Sequence, residues 1–228
     1  MELRPEQLPG WLGQLGPEWA GLSLTMPLKQ TVLPLLDEVG ELAAATGAAN
    51  TVVLDGGRRR GDNTDVGGIV AALREAGCVS AGHGVVLGGG ATAASALAAL
   101  AELGDRAPRV LVRDPSRTGP LRAAAARLGV HPRVRGLGEL AEALAGDPDV
   151  VVSTLPAGAA DALPLGPPQP RRAVLLDVVY APWPTALARA WHGPVVGGAA
   201  MLLHQAARQV ELMTGRPAPL EAMRAALG

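Results

Sequence analysis

The stretch HGVVLGGGATAASALAAL, residues 83–100, joins an apolar run typical of a buried strand to a helix of small residues. The turn between them places Gly88, Gly90 and Ala93 in the pattern G-x-G-x-x-A. Glycines at these points allow a tight turn and let a pyrophosphate approach the N–H groups at the helix N-terminus. A strand–helix turn that binds nothing is the alternative, because the pattern alone is weak. Since the pattern follows a strand and opens a helix, we favour a dinucleotide-binding unit.

On the C-terminal side of this unit, apolar runs rich in valine and leucine alternate with helical patterns up to residue 197. Such alternation predicts a parallel sheet covered by helices on both faces. We therefore predict an α/β protein with a Rossmann-type parallel-sheet domain over residues 67–197. A smaller α/β domain over residues 1–66 precedes it, and the C-terminal helices, residues 198–228, return to that smaller domain.

The composition excludes several classes of protein. The 228 residues carry a net charge of −1, which gives no basic surface for nucleic acid. Cys78 is the single cysteine, so no intrachain disulfide can form, and a reducing compartment fits. The sequence has no run typical of a signal peptide or a membrane span. We expect a cytoplasmic protein that binds neither nucleic acid nor membrane and needs no metal.

The end of the second strand of the parallel sheet, VRDPSR, bears on the choice of dinucleotide. An acidic residue there usually binds a ribose 2′-hydroxyl, whereas arginines accept a 2′-phosphate. This segment has Asp114 as well as Arg113, Ser116 and Arg117. The residues alone leave both cofactors open, and Asp114 is equally interpretable as a cap or turn residue before a proline.

Lys29 is the single lysine among 20 basic residues, and the rest are arginines. The segment PLKQTVLPLL predicts a helix that opens at Pro27 with Lys29 in its first turn, where the macrodipole disfavours a cation. An amine, unlike a guanidinium, can release its proton near neutral pH when its surroundings disfavour the charge. A lysine beside a carboxylate suits proton transfer. The alternative is an ordinary surface lysine.

Two asparagines, Asn50 and Asn63, both stand in Asn-Thr pairs, and the second pair leads to Asp65 at the start of a predicted helix. Asparagine favours turns and aspartate favours helix caps. For Asn63 we prefer this turn interpretation. For Asn50 a turn and a functional role are both open.

Six motifs occur in the order found in shikimate dehydrogenases: LTMPLK, GAANT, GDNTDVGG, GGGATAA, DVVYAPWPT and GGAAMLLHQAA. From about residue 16 onward the chain resembles that family. The resemblance implies NADP-dependent reduction of 3-dehydroshikimate to shikimate, in chorismate and aromatic amino acid biosynthesis. It also implies a substrate domain and a Rossmann-type cofactor domain with the site in the cleft between them. The protein would act as a monomer or homodimer.

The resemblance assigns roles to particular residues. Lys29 and Asp65 match the catalytic pair. Substrate-binding positions match Thr25, Asn50, Asp65, Tyr180 and Gln205. Cofactor-binding positions match Glu41, Gly88, Gly89, Gly90, Ala91, Thr92, Arg113, Ser116, Arg117, Val178, Gly198 and Met201.

The sequence departs from the family pattern at two places. Family members open with a strand and helix whose Ser-x-Ser hydroxyls hold the substrate carboxylate, and this sequence starts after that segment. We therefore expect the substrate domain to be N-terminally incomplete, with an exposed sheet edge. The alternative function is a non-catalytic relative, or one acting on quinate or an aminoshikimate. Asp114 stands where the family usually has arginine, which keeps NAD as the alternative to NADP.

Overall fold

Two separate sheets organise the protein in the computed structural model, which describes residues 2–163, 165–166 and 171–227. The strands are β1 Gly21–Ser23, β2 Glu38–Val39, β3 Thr51–Asp55, β4 Arg58–Asp62, β5 Gly84–Leu87, β6 Arg109–Val112, β7 Arg133–Gly136, β8 Val150–Ser153, β9 Val174–Asp177 and β10 Val195–Gly197. The α-helices are α1 Leu8–Leu12, α2 Leu28–Thr31, α3 Glu41–Thr46, α4 Asp65–Glu75, α5 Ala91–Leu103, α6 Gly119–Leu128, α7 Leu140–Ala145, α8 Ala186–Ala190, α9 Gly198–Thr214 and α10 Leu220–Leu227. Short 3-10 helices lie at Pro5–Gln7, Leu33–Leu35, Pro115–Arg117 and Leu137–Glu139.

The larger sheet contains six parallel strands in the order β10-β9-β8-β5-β6-β7. The chain proceeds outward from β5 in one direction through β6 and β7, and in the other through β8, β9 and β10. The strand order therefore reverses between β5 and β8, where open α/β sheets bind ligands beyond the carboxyl ends of the strands. This arrangement confirms the predicted α/β class and its Rossmann-type sheet.

The smaller sheet has the order β1-β3-β4-β2, and β1 forms one of its edges. Strands β3 and β4 pair antiparallel across a tight turn at Gly56-Gly57, and two glycines after an apolar β-branched run are a sequence signal typical of a hairpin. Strand β1 is antiparallel to β3, and β2 is parallel to β4. The hairpin delivers the chain directly into α4, whose first residue is Asp65.

Leucine, valine and alanine fill the core, as the absence of phenylalanine requires. Helix α5 packs with alanines such as Ala93, Ala96 and Ala99, each fully buried. Small side chains let the helix approach its neighbours closely. The three-residue turn Gly88–Gly90 places the helix N-terminus beside the carboxyl end of β5. A second cluster on the other face of the sheet includes Leu140 and Leu187.

The helix predicted to run on from Pro27 is wrong in its extent. Helix α2 has a single turn and ends at Thr31, and Pro27 precedes it as the N-cap. Pro34 then lies within a 3-10 turn, because proline lacks the N–H that an α-helix interior needs. A single turn has only a small aligned peptide dipole, so the predicted effect of a helix N-terminus on the Lys29 cation is small. The environment of Lys29 therefore comes from tertiary contacts.

Candidate active site

A cavity of about 320 Å³ lies between the segment that follows β1 and the segments that follow β5, β6 and β8. One wall comes from the segment between β1 and the end of α2, and includes Thr25 and Lys29. The opposite wall comes from the glycine-rich turn after β5, from Thr154 after β8, and from Arg117. The cavity thus lies at the carboxyl ends of β5 and β8, at the reversal of strand order. Further lining residues are Met26, Pro27, Gln30, Gly89, Gly90, Ala91, Thr92 and Pro120.

Lys29 and Asp65 form an ion pair at this cavity. Lys29 Nζ donates a hydrogen bond to Asp65 Oδ2 at 2.6 Å, and the two side chains are 13% and 4% exposed. The residues are the second of α2 and the first of α4. The structure thus brings together the lysine and the aspartate that the sequence singled out by residue type.

Asp65 is held through its second oxygen as well. Oδ1 accepts a hydrogen bond from Asn50 Nδ2 at 2.8 Å, and the same amide group lies 3.0 Å from Gln205 Oε1. Asn50 Oδ1 in turn accepts from the backbone N–H of Thr64 at 2.8 Å. A carboxylate with both oxygens engaged has a fixed orientation, so Asp65 presents Oδ2 to Lys29 in one geometry.

Gln209 belongs to this network, and the sequence analysis missed it. It is 6% exposed, and its Nε2 donates to Asn50 O at 3.1 Å and to Thr51 Oγ1 at 3.0 Å. Gln209 follows Gln205 by four residues and lies on the same face of α9. That spacing of two glutamines on one helix face is the signal that predicts its position.

The glycine-rich turn has the geometry that a pyrophosphate requires. Gly88 has φ of 112°, and an added Cβ there would collide with the hydroxyl of Thr154. Gly90 is exposed, and a Cβ there would meet no atom within 4 Å. No side chain caps the N-terminus of α5, so the first N–H groups of this 13-residue helix remain available to an anion. The residues present fit the phosphates of a dinucleotide.

Asp114 acts as a local cap. Its Oδ1 accepts hydrogen bonds from Ser116 Oγ at 2.6 Å and from Ser116 N at 3.0 Å. These hydrogen bonds from Ser116, with Arg117 and Arg113 nearby, hold the pKa of the Asp114 carboxyl below its usual value. Its carboxylate therefore starts the 3-10 helix Pro115–Arg117, while the neighbouring Arg117 lines the cavity.

Three of the cofactor-binding positions, Val178, Gly198 and Met201, lie close together. The backbone N–H of Gly198 donates to Val179 O at 3.1 Å, and an added Cβ at Gly198 would collide with the Val178 carbonyl. Met201, 7% exposed, packs one turn further along α9. Tyr180 is 61% exposed and Glu41 is an exposed first residue of α3. Neither Tyr180 nor Glu41 is among the described residues that line the cavity.

Across the described ranges, no group of three or more His, Cys, Asp or Glu side chains is arranged to hold a metal ion. In those same ranges, no helix combines the length and apolarity needed to cross a membrane.

Comparison with known proteins gives consistent matches. Residues 1–52 match the shikimate dehydrogenase substrate binding domain, and residues 198–227 match the shikimate 5′-dehydrogenase C-terminal domain. The NADP(+) shikimate dehydrogenase of Thermosynechococcus vestitus is 37% identical over 218 residues, which cover 91% of this chain and 75% of that protein.

Solved structures agree with these sequence matches. The shikimate dehydrogenase of Mycobacterium tuberculosis superimposes with a TM-score of 0.85 and 42% identity, covering 99% of this chain and 86% of that chain. The shikimate 5-dehydrogenase of Thermus thermophilus, solved with NADP(H) and shikimate, gives a TM-score of 0.82 and 30% identity, covering 99% and 84%. With identities above 30% across nearly the whole chain, this chain belongs to the shikimate dehydrogenase family.

Proposed function

We propose that this chain reduces 3-dehydroshikimate to shikimate with NADPH, in the biosynthesis of aromatic amino acids, and that Lys29 and Asp65 carry the proton transfer. The observation that carries the proposal is the 2.6 Å contact between Lys29 Nζ and Asp65 Oδ2. It lies at the cavity that the glycine-rich turn also lines. Relatives with 37% identity carry the name NADP(+) shikimate dehydrogenase, which supports this function over a non-catalytic or altered-substrate relative.

The proposed chemistry divides between the cofactor and the chain. When bound, NADPH supplies a hydride to the ketone carbon of the substrate. Lys29 Nζ hydrogen-bonds the ketone oxygen as it gains negative charge and donates a proton to it, which completes the hydroxyl group. Asp65 Oδ2 holds Nζ in position for that transfer. In the reverse direction, Lys29 Nζ accepts the hydroxyl proton.

Substrate recognition follows from polar side chains around this pair. Thr25, which carries a hydroxyl group, lines the cavity together with Lys29. The amides of Asn50 and Gln205, which already contact each other at 3.0 Å, suit a ring that carries several hydroxyl groups. Tyr180 completes the proposed set on the cofactor-domain side.

Cofactor binding is proposed at three places. The pyrophosphate lies on the turn Gly88–Thr92 and the N-terminus of α5, where free N–H groups and the helix dipole favour an anion. Arg113, Ser116 and Arg117 bind the adenosine 2′-phosphate, because an arginine pairs strongly with phosphate. The nicotinamide side is formed by Val178, Gly198 and Met201, and Glu41 is proposed to lie near the cofactor.

The proposed organisation assigns residues 1–66 and 198–228 to the substrate domain and residues 67–197 to the cofactor domain. Helix α9 supports this division because Gln205 and Gln209 reach Asn50 of the first segment. The protein would work in the cytoplasm on a small molecule, as a monomer or homodimer that sedimentation velocity distinguishes.

The test is an assay of NADP⁺ reduction with shikimate, followed by the absorbance of the reduced nicotinamide. Wild type, Lys29→Ala and the surface control Arg74→Ala are compared, with quinate and an aminoshikimate as rival substrates. We expect shikimate to be preferred and Lys29→Ala to lower kcat by about 100-fold or more. Absence of a shikimate-dependent signal in wild type would overturn the proposed activity. Unchanged kcat in Lys29→Ala would overturn the proposed role of Lys29.

A further inference from the structure

Asn63 is a buried side chain at the junction of the two sheets. It lies between β4 and α4 and is 2% exposed. Its Nδ2 lies 2.9 Å from Thr46 Oγ1, 3.0 Å from Ala48 O and 3.1 Å from Ser95 Oγ. Its Oδ1 accepts a hydrogen bond from the backbone N–H of Asp65 at 3.0 Å. The turn predicted for Asn63 therefore accounts for the hydrogen bond of its carbonyl oxygen but not for the contacts of its amide nitrogen.

The carbonyl side of Asn63 sets the start of α4. Asp65 is the first residue of that helix, so its N–H has no intrahelical acceptor. Thr64, the N-cap residue, provides no side-chain cap, and Asn63 Oδ1 accepts this N–H instead. The hydrogen bond closes an Asx turn over Thr64. It fixes the backbone of Asp65 and therefore the point from which the Asp65 side chain extends toward Lys29.

The amide side of Asn63 reaches α5, the helix that follows the glycine-rich turn. Ser95 lies on α5, a little over one turn after Ala91, and its hydroxyl also lies 3.4 Å from Ala91 O. Thr46 and Ala48 belong to the end of α3 and the segment after it. Asn63 Nδ2 thus contacts the helix that follows the glycine-rich turn as well as the smaller α/β unit.

We propose that Asn63 is a positioning residue for the proton-transfer pair: it ties the backbone of Asp65 to helix α5, so that Asp65 and the cofactor helix keep a fixed spacing. The inference rests on the proposed function, because Asp65 is positioned for the reaction stated there. Asn63 itself does not line the cavity and acts through Asp65. Small displacements of a proton-transfer group lower kcat strongly, so the effect of losing Asn63 falls on kcat.

Three variants separate the turn formed by the Asn63 carbonyl oxygen from the contacts made by its amide nitrogen. Asn63→Ala removes both the turn and the amide contacts. Asn63→Ser keeps a hydroxyl that accepts the Asp65 N–H in an ST turn but does not reach Ser95. Ser95→Ala removes the contact to α5 and leaves the turn intact.

The kinetic readout is kcat for shikimate oxidation, measured in the wild-type and Asp65→Asn backgrounds. We expect Asn63→Ala to lower kcat by about tenfold in the wild-type background and by less than about twofold with Asp65→Asn. Ser95→Ala, which loses one hydrogen bond, should lower kcat by about threefold. Asn63→Ser, which loses all the amide contacts but keeps the turn, should lower kcat by at least about threefold and by less than Asn63→Ala. An equal loss for Asn63→Ala in both backgrounds indicates a general structural defect and overturns the proposal. Wild-type kcat in Ser95→Ala overturns the link to α5.

The second readout is hydrogen exchange at the Asp65 amide, measured by NMR, and it does not depend on activity. Exchange should be slow in wild type, Asn63→Ser and Ser95→Ala, and at least about tenfold faster in Asn63→Ala. Slow exchange in a folded Asn63→Ala variant overturns the positioning role. If wild type shows no shikimate-dependent reduction, the proposed function fails, while the exchange rates still decide whether Asn63 positions Asp65.

Discussion

Lys29 Nζ and Asp65 Oδ2 are 2.6 Å apart, although 36 residues separate them in the sequence. The two side chains are mostly buried, so each charge depends on the other for compensation. We therefore expect activity to depend on which cationic side chain stands at position 29 as well as on its charge.

Arginine should not replace Lys29. Lys29→Arg keeps the positive charge, but a guanidinium does not release a proton at the pH of the reaction. We expect kcat to fall by about 100-fold or more, similar to Lys29→Ala, while the protein remains folded. The measurement is steady-state kinetics with shikimate and NADP⁺, with circular dichroism as the check of folding. Activity within a few-fold of wild type would show that charge alone suffices at this position.

Two glycines of the phosphate turn should respond differently to alanine. Gly88→Ala puts a Cβ against the Thr154 hydroxyl at a positive φ, so we expect a lower melting temperature and a higher KM for NADP⁺. Gly90→Ala has open space around its Cβ and a negative φ, so the free protein should keep its stability.

The space at Gly90 is the space in which the pyrophosphate is proposed to lie. Gly90→Ala should therefore raise the KM for NADP⁺ without changing the melting temperature of the free protein. Thermal unfolding and kinetics on the two variants test this. An unchanged KM in Gly90→Ala would place the pyrophosphate elsewhere.

Arg117 should favour NADP⁺ over NAD⁺. Arg117→Ala removes a cation from the cavity wall, and we expect the ratio of kcat/KM for NADP⁺ to that for NAD⁺ to fall about tenfold. Arg122→Ala is the matched control, because Arg122 Nε donates to Thr118 Oγ1 at the start of its own helix and does not line the cavity. Equal ratios in Arg117→Ala and wild type would remove Arg117 from 2′-phosphate recognition.

The Asp114 carboxylate should repel the 2′-phosphate that Arg117 is proposed to bind. Hydrogen bonds from Ser116 keep the pKa of its carboxyl below the usual value, so the group is ionised at neutral pH. Asp114→Asn keeps an oxygen for the cap and removes the charge. We expect the ratio of kcat/KM for NADP⁺ to that for NAD⁺ to rise. A fall in that ratio would indicate that Asp114 supports NADP⁺ binding.

Glu75 should contribute stability that is lost at acid pH. Glu75 Oε1, at the end of α4, lies 2.8 Å from Arg224 Nη2 of α10 and 3.1 Å from His204 Nε2 of α9. These contacts join the two C-terminal helices to α4. The hydrogen bond from Arg224, followed by the smaller effect of His204, lowers the pKa of Glu75 from 4.5. A carboxyl with a lowered folded-state pKa stabilises the folded protein above its unfolded pKa, and this is lost as pH falls through the folded pKa.

At neutral pH, Glu75→Gln should reduce the free energy of unfolding by no more than about 1 kcal/mol, because the pair is partly exposed and screened by solvent. Below the usual carboxyl pKa, the difference from wild type should shrink toward zero. Urea unfolding at neutral and acid pH measures it. Glu102→Gln, in the exposed pair with Arg74, is the control and should change stability less. A difference that grows as pH falls would contradict the sign of the shift.

Sequence patterns predicted those elements that are specified by residues only a few positions apart. The apolar run before Gly88, the small-residue helix after it and the hairpin at Gly56-Gly57 were readable because burial period and turn chemistry act over a few residues. The extent of the helix at Lys29 was predicted wrongly, although Pro34 within the segment was a local signal that it would end early.

The sequence by itself determined the α/β class, the family, and which residue types stood out: one lysine, two asparagines and an aspartate at a helix start. The tertiary structure decided what those residues touch. It brought Lys29 to Asp65, placed Gln209 against Asn50 from 159 residues away, and joined Asn63 to Ser95 of α5 in the buried interior. These contacts depend on how one sheet and its helices pack against the other, and the spacing of residues along the chain does not specify which distant side chains will meet.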